Sequence, residues 1–208
     1  MVVKRLFDIL FSIILLVLLS PVFFIVVLYI LILDRSNPFF VQKRVGKEGR
    51  EFTLIKFRTM RNDKRNGLHI TVGTRDPRIT KAGFFLRKYK IDELPQLVNI
   101  FLGNMSFVGP RPEVKKYADF YTPEQREILK VKPGLTSYAS LKFFDENRIL
   151  EKSGHAEEVY IHDILPRKIE IDLEYIEKWK FRTDLKIIIT TMITILKIPI
   201  KLKEEKKH

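Results

Sequence analysis

The run "KYKIDELPQL" at residues 88–97 sets two adjacent carboxylates, Asp92 and Glu93, between a basic stretch and a proline. Neighbouring residues on a helix point about 100° apart, so the pair can face different partners. One carboxylate could attack a phosphorus atom while the other handles a metal ion or a proton. Pro95 fits only the first turn of a helix, which predicts that "ELPQLVNIFL" is helical and begins at Asp92 as its N-cap. The positive end of that helix favours ionised carboxylates and also draws phosphate, with Arg87, Lys88 and Lys90 just upstream. Taken alone the pair is explained by capping, since Asp is a favoured N-cap and Glu a favoured first-turn residue.

Two further motifs supply cations. In "FVGPRP" Arg111 stands between two prolines, and a residue before proline is pushed to extended conformations. The guanidinium is thus presented on a stiff strut, which suits bidentate binding of phosphate. A loop that merely exposes an arginine is the plainer alternative. In "LIKFRTM" Lys56 and Arg58 alternate around Phe57 and share one face of a strand, either as a hairpin edge or as a surface for nucleic acid.

The whole chain supports an anionic partner: 38 Lys and Arg against 25 Asp and Glu leave a net charge of +13, which selects nucleic acid, phosphorylated substrates or anionic lipid. The absence of cysteine excludes disulfides, thiolate metal sites and thiol nucleophiles. His69, His155, His162 and His208 show no metal-ligand spacing.

The elements that must position these groups begin with residues 9–33, which carry no charge and are long enough to cross a bilayer as a helix. The run is too long for the apolar part of a signal peptide and no small-residue cleavage site follows, so it is expected to be retained. Ser20 and Pro21 should kink it, because proline removes a backbone donor and clashes with the preceding turn. Lys4 and Arg5 precede the run, and Arg35, Lys43 and Arg44 follow it. Basic flanks on both sides leave a kinked spanning helix and a hairpin that returns to the same face evenly matched.

Turn-forming residues at 34–38 close the segment, which divides the chain into a membrane helix at 1–34, a soluble-like domain at 35–200 and a charged tail at 201–208. Within the domain, two β-prone runs around Gly46 and Gly49 predict a hairpin, and the polar residues 60–77 a loop. Helical patterns occupy 79–90, 94–102, 123–129 and 161–179. In the last helix Lys186, Thr190, Thr194 and Lys197 form one narrow polar stripe, compatible with lying in a membrane interface or packing as core. The fold class is mainly α with a small β-hairpin, α+β.

These motifs occur together and in order, and the sequence resembles the bacterial sugar transferases, specifically the small monotopic phosphoglycosyl transferases. The matching stretches are "KRLFDI", the apolar helix with Ser20-Pro21, "KFRTM", "LRKYKIDELPQL", "GNMSFVGPRP", "KPGLTSYAS" and "DLKI", which span nearly the whole chain. The resemblance implies a re-entrant membrane helix kinked at Ser20 and Pro21, amphipathic interfacial helices, and a catalytic domain on the cytoplasmic face of the bacterial inner membrane, against anionic lipid. It implies transfer of a sugar-1-phosphate from a nucleoside-diphosphate sugar, with a UDP-sugar expected, to polyprenyl phosphate. The step would initiate a capsule, exopolysaccharide, O-antigen or glycoprotein glycan.

By the same resemblance Asp92 is the nucleophile that forms an aspartyl-phosphosugar, and Glu93 is its dyad partner. Lys56, Arg58, Arg87 and Arg111 bind the diphosphate, and Mg2+ is the cofactor, held by Asp92 and Glu93. No nucleic acid is implied. Lys90 departs from the family pattern, where a small residue such as serine is common, and Ser137 and Ser140 replace frequent Gly and Gln. Residues 143–166 carry no legible motif, and are a candidate region for sugar specificity.

Two other function classes compete. A glycosidase pair needs its carboxylates facing across a sugar about 5–9 Å apart, which adjacent residues seldom achieve. A membrane-anchored basic adaptor for nucleic acid or anionic lipid explains the charge and the anchor but gives Asp92 no task. Asp92→Asn discriminates, since an adaptor keeps its affinity and a transferase loses turnover.

Overall fold

A computed structural model describes residues 2–61 and 76–204, with side chains as far as 196. Two helices, α1 (Val2–Leu18) and α2 (Ser20–Leu33), meet at a bend of 59°. Pro21 sits in the first turn of α2 and has no N–H to offer the carbonyl of Val17 four residues back. The hydroxyl of Ser20 donates to that carbonyl at 2.8 Å instead. The Ser-Pro pair therefore makes the kink and repairs the hydrogen bond it breaks.

The two helices are apolar on the outside. In α1 the buried residues are Asp8 and Ser12, whereas Val2, Val3, Leu6, Leu10, Val17 and Leu18 are exposed. In α2, Val26 and Ile30 turn inward and Phe24, Ile25 and Ile32 outward. Among the described residues no single helix is long and apolar enough to cross a membrane, but this bent pair passes that test jointly.

An antiparallel hairpin follows, β1 (Phe39–Val45) and β2 (Glu51–Phe57), with Phe39 opposite Phe57 and Val45 opposite Glu51. Its turn lies at Gly46 to Arg50, where the sequence places it. Helix α3 (Lys81–Lys88) starts at Thr80, whose hydroxyl accepts from the Gly83 amide at 2.9 Å. Gly83 lies so close to the hairpin's exit that a Cβ there would come 2.0 Å from the Thr59 carbonyl oxygen, so only glycine lets α3 dock. Helix α4 (Gln96–Leu102) stops at Gly103, which takes the left-handed conformation with φ of 90°.

Beyond the expected hairpin the structure has a second small sheet, β3 (Ser106–Val108) and β4 (Gly134–Thr136), paired in parallel. Strands this short carry no periodicity, and their flanking Gly and Pro read as loop. The rest is helical: α5 (Lys115–Ala118), a 3-10 turn at Gln125–Lys130, α6 (Tyr138–Lys142), α7 (Glu146–Ser153), α8 (Ala156–Val159), a π turn at Tyr160–Ile164, α9 (Leu165–Glu177) and α10 (Phe181–Glu204). Residues 143–166, blank in the sequence, are thus mostly helix. The fold is mainly helical with two small sheets, α+β. Residues 62–75 of the expected loop and 205–208 of the expected tail lie outside the described residues, while 201–204 continue α10.

Three apolar clusters hold the molecule. One joins Tyr117, Tyr160, Ile164, Leu165 and Ile169. A second packs Leu97, Ile100, Met105, Val108 and Ile187 against Phe7, Leu15 and Leu16 of α1. The third sets Val26 and Ile30 of α2 on Phe57, Ala82 and Leu86. The first part of α10 therefore packs as core through Ile187, while Ile189, Met192, Ile193 and Leu196 are exposed. Of the polar stripe, the hydroxyls of Thr190 and Thr194 bond back to carbonyls one turn earlier.

Candidate active site

The dyad lies between the second and third clusters, in a tight turn rather than at a helix cap. Asp92 and Glu93 occupy a 3-10 turn, Ile91–Glu93, and Pro95 takes the N-cap position of α4 with no side-chain cap. The expectation that Asp92 caps the helix is corrected: proline follows so closely that the chain makes a separate turn first. Both carboxylates are buried, at 6% and 7% exposure, which a simple capping role would not require.

Their surroundings differ. Glu93 Oε1 accepts from Lys56 Nζ at 3.0 Å and from Arg111 Nη2 at 3.0 Å. Burial alone would raise its pKa, but Lys56, Arg111 and Lys90 outweigh burial and hold it well below the ordinary 4.5. Asp92 has the opposite balance. Its Oδ1 is buried with no hydrogen-bond partner, and burial together with the Glu93 charge raises its carboxyl above the ordinary 3.8 against Lys56, Lys90 and Arg87. Lys56 is lowered by burial, with Glu93 pulling the other way. Arg111 is raised by Glu93 despite burial, and its side chain keeps 34% exposure, so part of its donor fork remains open to a ligand.

Each cation is held by a different element. Lys56 stands near the end of β2, and β2 is stapled to α4 by Asn99, whose amide donates to Thr53 O at 2.7 Å and whose oxygen accepts from Ile55 N at 3.1 Å. Arg111 rides on the Pro110 to Pro112 strut, pinned on one side where Gly134 N donates to Pro110 O at 2.9 Å. On the other side Arg44 donates to Pro112 O at 3.2 Å and pairs with Glu113 at 3.6 Å, while Tyr160 donates to Glu113 at 2.5 Å. Arg87, in the last turn of α3, contacts the Met60 sulfur at 3.6 Å and acts on Asp92 through its charge.

The structure thus brings Lys56, Arg87 and Arg111 to the dyad. It places Arg58 elsewhere, just past the end of β2 at the mouth of the hairpin, where the guanidinium donates to the carbonyls of Asn37 at 2.8 Å and Phe39 at 3.1 Å. Asn99, Arg44, Glu113 and Tyr160 were not legible as site residues. A polar Asn inside the apolar run "LVNIFL" was the one available signal.

A second polar cluster sits at the far end of α4. Arg5 donates to the carbonyls of Ile100 at 2.7 Å and Phe101 at 2.8 Å, in the last turn of α4. Asp8 accepts from Ser106 Oγ at 3.1 Å and Phe107 N at 3.2 Å. Lys4 pairs with Asp184, which also accepts from Tyr175 and Trp179. Ser20 and Pro21 make the bend described above and are remote in role from this chemistry.

Comparison with known proteins identifies the family. The family described as "Bacterial sugar transferase" matches residues 1–198. The chain is 38% identical over 199 residues to the "uncharacterized sugar transferase EpsL" of Bacillus subtilis, covering 94% of this chain and 88% of that one. It is 34% identical over 197 residues to the UDP-glucose:undecaprenyl-phosphate glucose-1-phosphate transferase of Escherichia coli, covering 91% of this chain and 39% of that protein. It is 36% identical over 200 residues to the undecaprenyl-phosphate glucose phosphotransferase of Komagataeibacter xylinus, covering 92% and 35%. The chain therefore spans well under half the length of these last two relatives.

Proposed function

The chain belongs to the bacterial sugar transferase family and is a transferase, and on that premise we propose that it moves a sugar-1-phosphate from a nucleoside-diphosphate sugar to polyprenyl phosphate, releasing the nucleoside monophosphate. The names of relatives, which specify UDP-glucose and undecaprenyl phosphate for those proteins, support a UDP-sugar and a long polyprenyl phosphate as the substrate pair. The observation that carries the reading is the split within one buried dyad: Glu93 is clamped by two cations, and the adjacent Asp92 holds a buried oxygen with no partner.

In the first step the Asp92 carboxylate attacks the phosphorus that bears the sugar. The P–O bond to the nucleoside monophosphate breaks, leaving an aspartyl-phosphosugar. In the second step an oxygen of polyprenyl phosphate attacks the same phosphorus, the diphosphate link forms, and Asp92 departs as a carboxylate. Each step exchanges one P–O bond for another. Lys56, Arg87 and Arg111 neutralise the phosphates, and Glu93 remains ionised to keep Lys56 and Arg111 aimed.

The unpartnered Asp92 oxygen suits a divalent cation. Such a donor set fits Mg2+, which takes one or two carboxylates and completes its shell with substrate phosphates and water. Asp92 and Glu93 would hold it, and when bound it would spread charge on the transferring phosphoryl group.

The bent helices α1 and α2 enter the lipid from the cytoplasmic face and return to it. The apolar outer faces of both helices, and the packing of both on the same domain, support this reading. The protein then works on the bacterial inner membrane at the first step of a glycoconjugate. The test is purified full-length chain in detergent with Mg2+, a panel of UDP-sugars and polyprenyl phosphate. Wild type should release UMP and Asp92→Asn should not; silence of wild type with every nucleotide sugar would overturn the reading.

A further inference from the structure

We infer that Lys90 is an anion-binding residue beside the dyad, taking a phosphate group of one of the two substrates; the inference rests on the transferase reading above and adds a residue to it. Four observations carry it. Lys90 is exposed and directly precedes the turn that holds Asp92 and Glu93, and its carbonyl accepts from the Glu93 amide at 3.2 Å. Its φ of 56° puts a non-glycine residue in the left-handed region, a conformation that costs free energy and gathers at functional sites.

The ammonium acts through its charge on both carboxylates, yet it makes no ion pair or hydrogen bond with either among the described residues. It stands instead over the Phe144 ring, 5.9 Å from the centroid. Lys56 and Arg111 are already engaged with Glu93, whereas the Lys90 ammonium keeps its three donors for a ligand. Phe144 is the ring contact of this cation, whereas neither carboxylate of the dyad pairs with it. The same contact places the segment before α7 beside Lys90.

A diphosphate donor and a lipid phosphate present the same chemistry to Lys90, so the experiment separates them. Full-length protein in lipid nanodiscs is titrated with UDP and, separately, with polyprenyl phosphate, for wild type, Lys90→Ser, Lys90→Arg and Lys90→Gly. Loss of one charge-assisted hydrogen bond at an open position should weaken one of the two ligands by about tenfold in Lys90→Ser, with Arg restoring most of it. A shift for UDP assigns Lys90 to the donor, and a shift for the lipid assigns it to the acceptor.

Lys90→Gly separates binding from architecture. Glycine accepts the left-handed conformation without a Cβ penalty, so Tm should hold or rise while affinity falls as in Lys90→Ser. Unchanged affinity for both ligands in Lys90→Ser would overturn the inference. So would parallel loss of Tm and affinity in Lys90→Gly, which would make Lys90 a structural residue. Turnover by wild type in the UMP assay tests the transferase reading separately, and that reading can stand when the Lys90 inference falls.

Discussion

The two ends of α4 carry buried charge in opposite ways. At the C-terminal end Arg5 caps the last-turn carbonyls, Asp8 accepts two hydrogen bonds, and Asp184 accepts from Lys4, Tyr175 and Trp179. No oxygen of Asp8 or Asp184 is left buried without a partner. At the N-terminal end Glu93 is satisfied twice over, and Asp92 keeps a buried oxygen unpaired. A buried acceptor without a partner costs roughly 1–3 kcal/mol, so a fold selected for stability alone has no use for one. One cluster fastens α1 to the domain, and the other leaves a carboxylate oxygen open for the ligand proposed above.

The sharpest way to break this contrast is Asp92→Asn, which should lower turnover by a factor on the order of 10^4 to 10^6, the scale seen when one member of a nucleophilic triad is removed. The same variant should be more stable than wild type at neutral pH. Asp92 has a raised folded pKa, so its contribution favours folding below the unfolded value of 3.8 and is lost as pH rises through the folded value. Removing the charge should raise Tm at pH 7 by about 2–4 °C per kcal/mol recovered, and the gain should vanish in acid. A drop in Tm at pH 7 would mean that Asp92 is structural after all.

Arg111→Ala should be next in size, with a loss of about 10^2–10^3 in kcat, as for removal of one preorganised charge-stabilising donor. It leaves Glu93 to Lys56 alone. Glu93 has a depressed folded pKa, so its stabilising contribution is present above the unfolded value and is lost as pH falls through the folded one. Acid denaturation of Arg111→Ala should therefore set in at higher pH than in wild type, which a pH titration of far-ultraviolet circular dichroism checks.

At the other end of α4, Asp8→Ala should cost about 1–3 kcal/mol by orphaning the Phe107 amide and the Ser106 hydroxyl. Thermal melts should show the loss, while kcat of the folded fraction stays much closer to wild type than in Asp92→Asn. Equal loss of kcat in the two variants would erase the distinction between the clusters. The smallest effect is in the pH profile: because Asp92 must be ionised to attack, kcat/KM should fall on the acid side with an apparent pKa above 3.8, and added Mg2+ should move that limb downward.

The sequence was readable where a residue's chemistry is local. Ser20-Pro21 announced the bend, Gly46 and Gly49 the hairpin turn, and the Pro-Arg-Pro spacing the presentation of Arg111. It was misleading at Asp92, where a favoured capping residue beside a helix-starting proline turned out to lie in a turn of its own. It was silent on β3 and β4, whose three-residue strands have no period to read. It was silent too on Arg5 and Asp8, since flanking charges before an apolar run look alike whether they face lipid headgroups or cap a helix far along the chain. Partner choice across such separations is decided by packing, and packing here inverts α1 so that its polar side faces the protein.

The most direct measurement is mass spectrometry of the intact protein after incubation with Mg2+ and an accepted nucleotide sugar, with no polyprenyl phosphate present. Wild type should gain the mass of one sugar phosphate, map it to the peptide containing Asp92, release an equal amount of nucleoside monophosphate, and lose the added mass when polyprenyl phosphate is supplied. Release of nucleotide only when both substrates are present, with no adduct on Asp92, would contradict a covalent two-step transfer and require direct attack by the lipid.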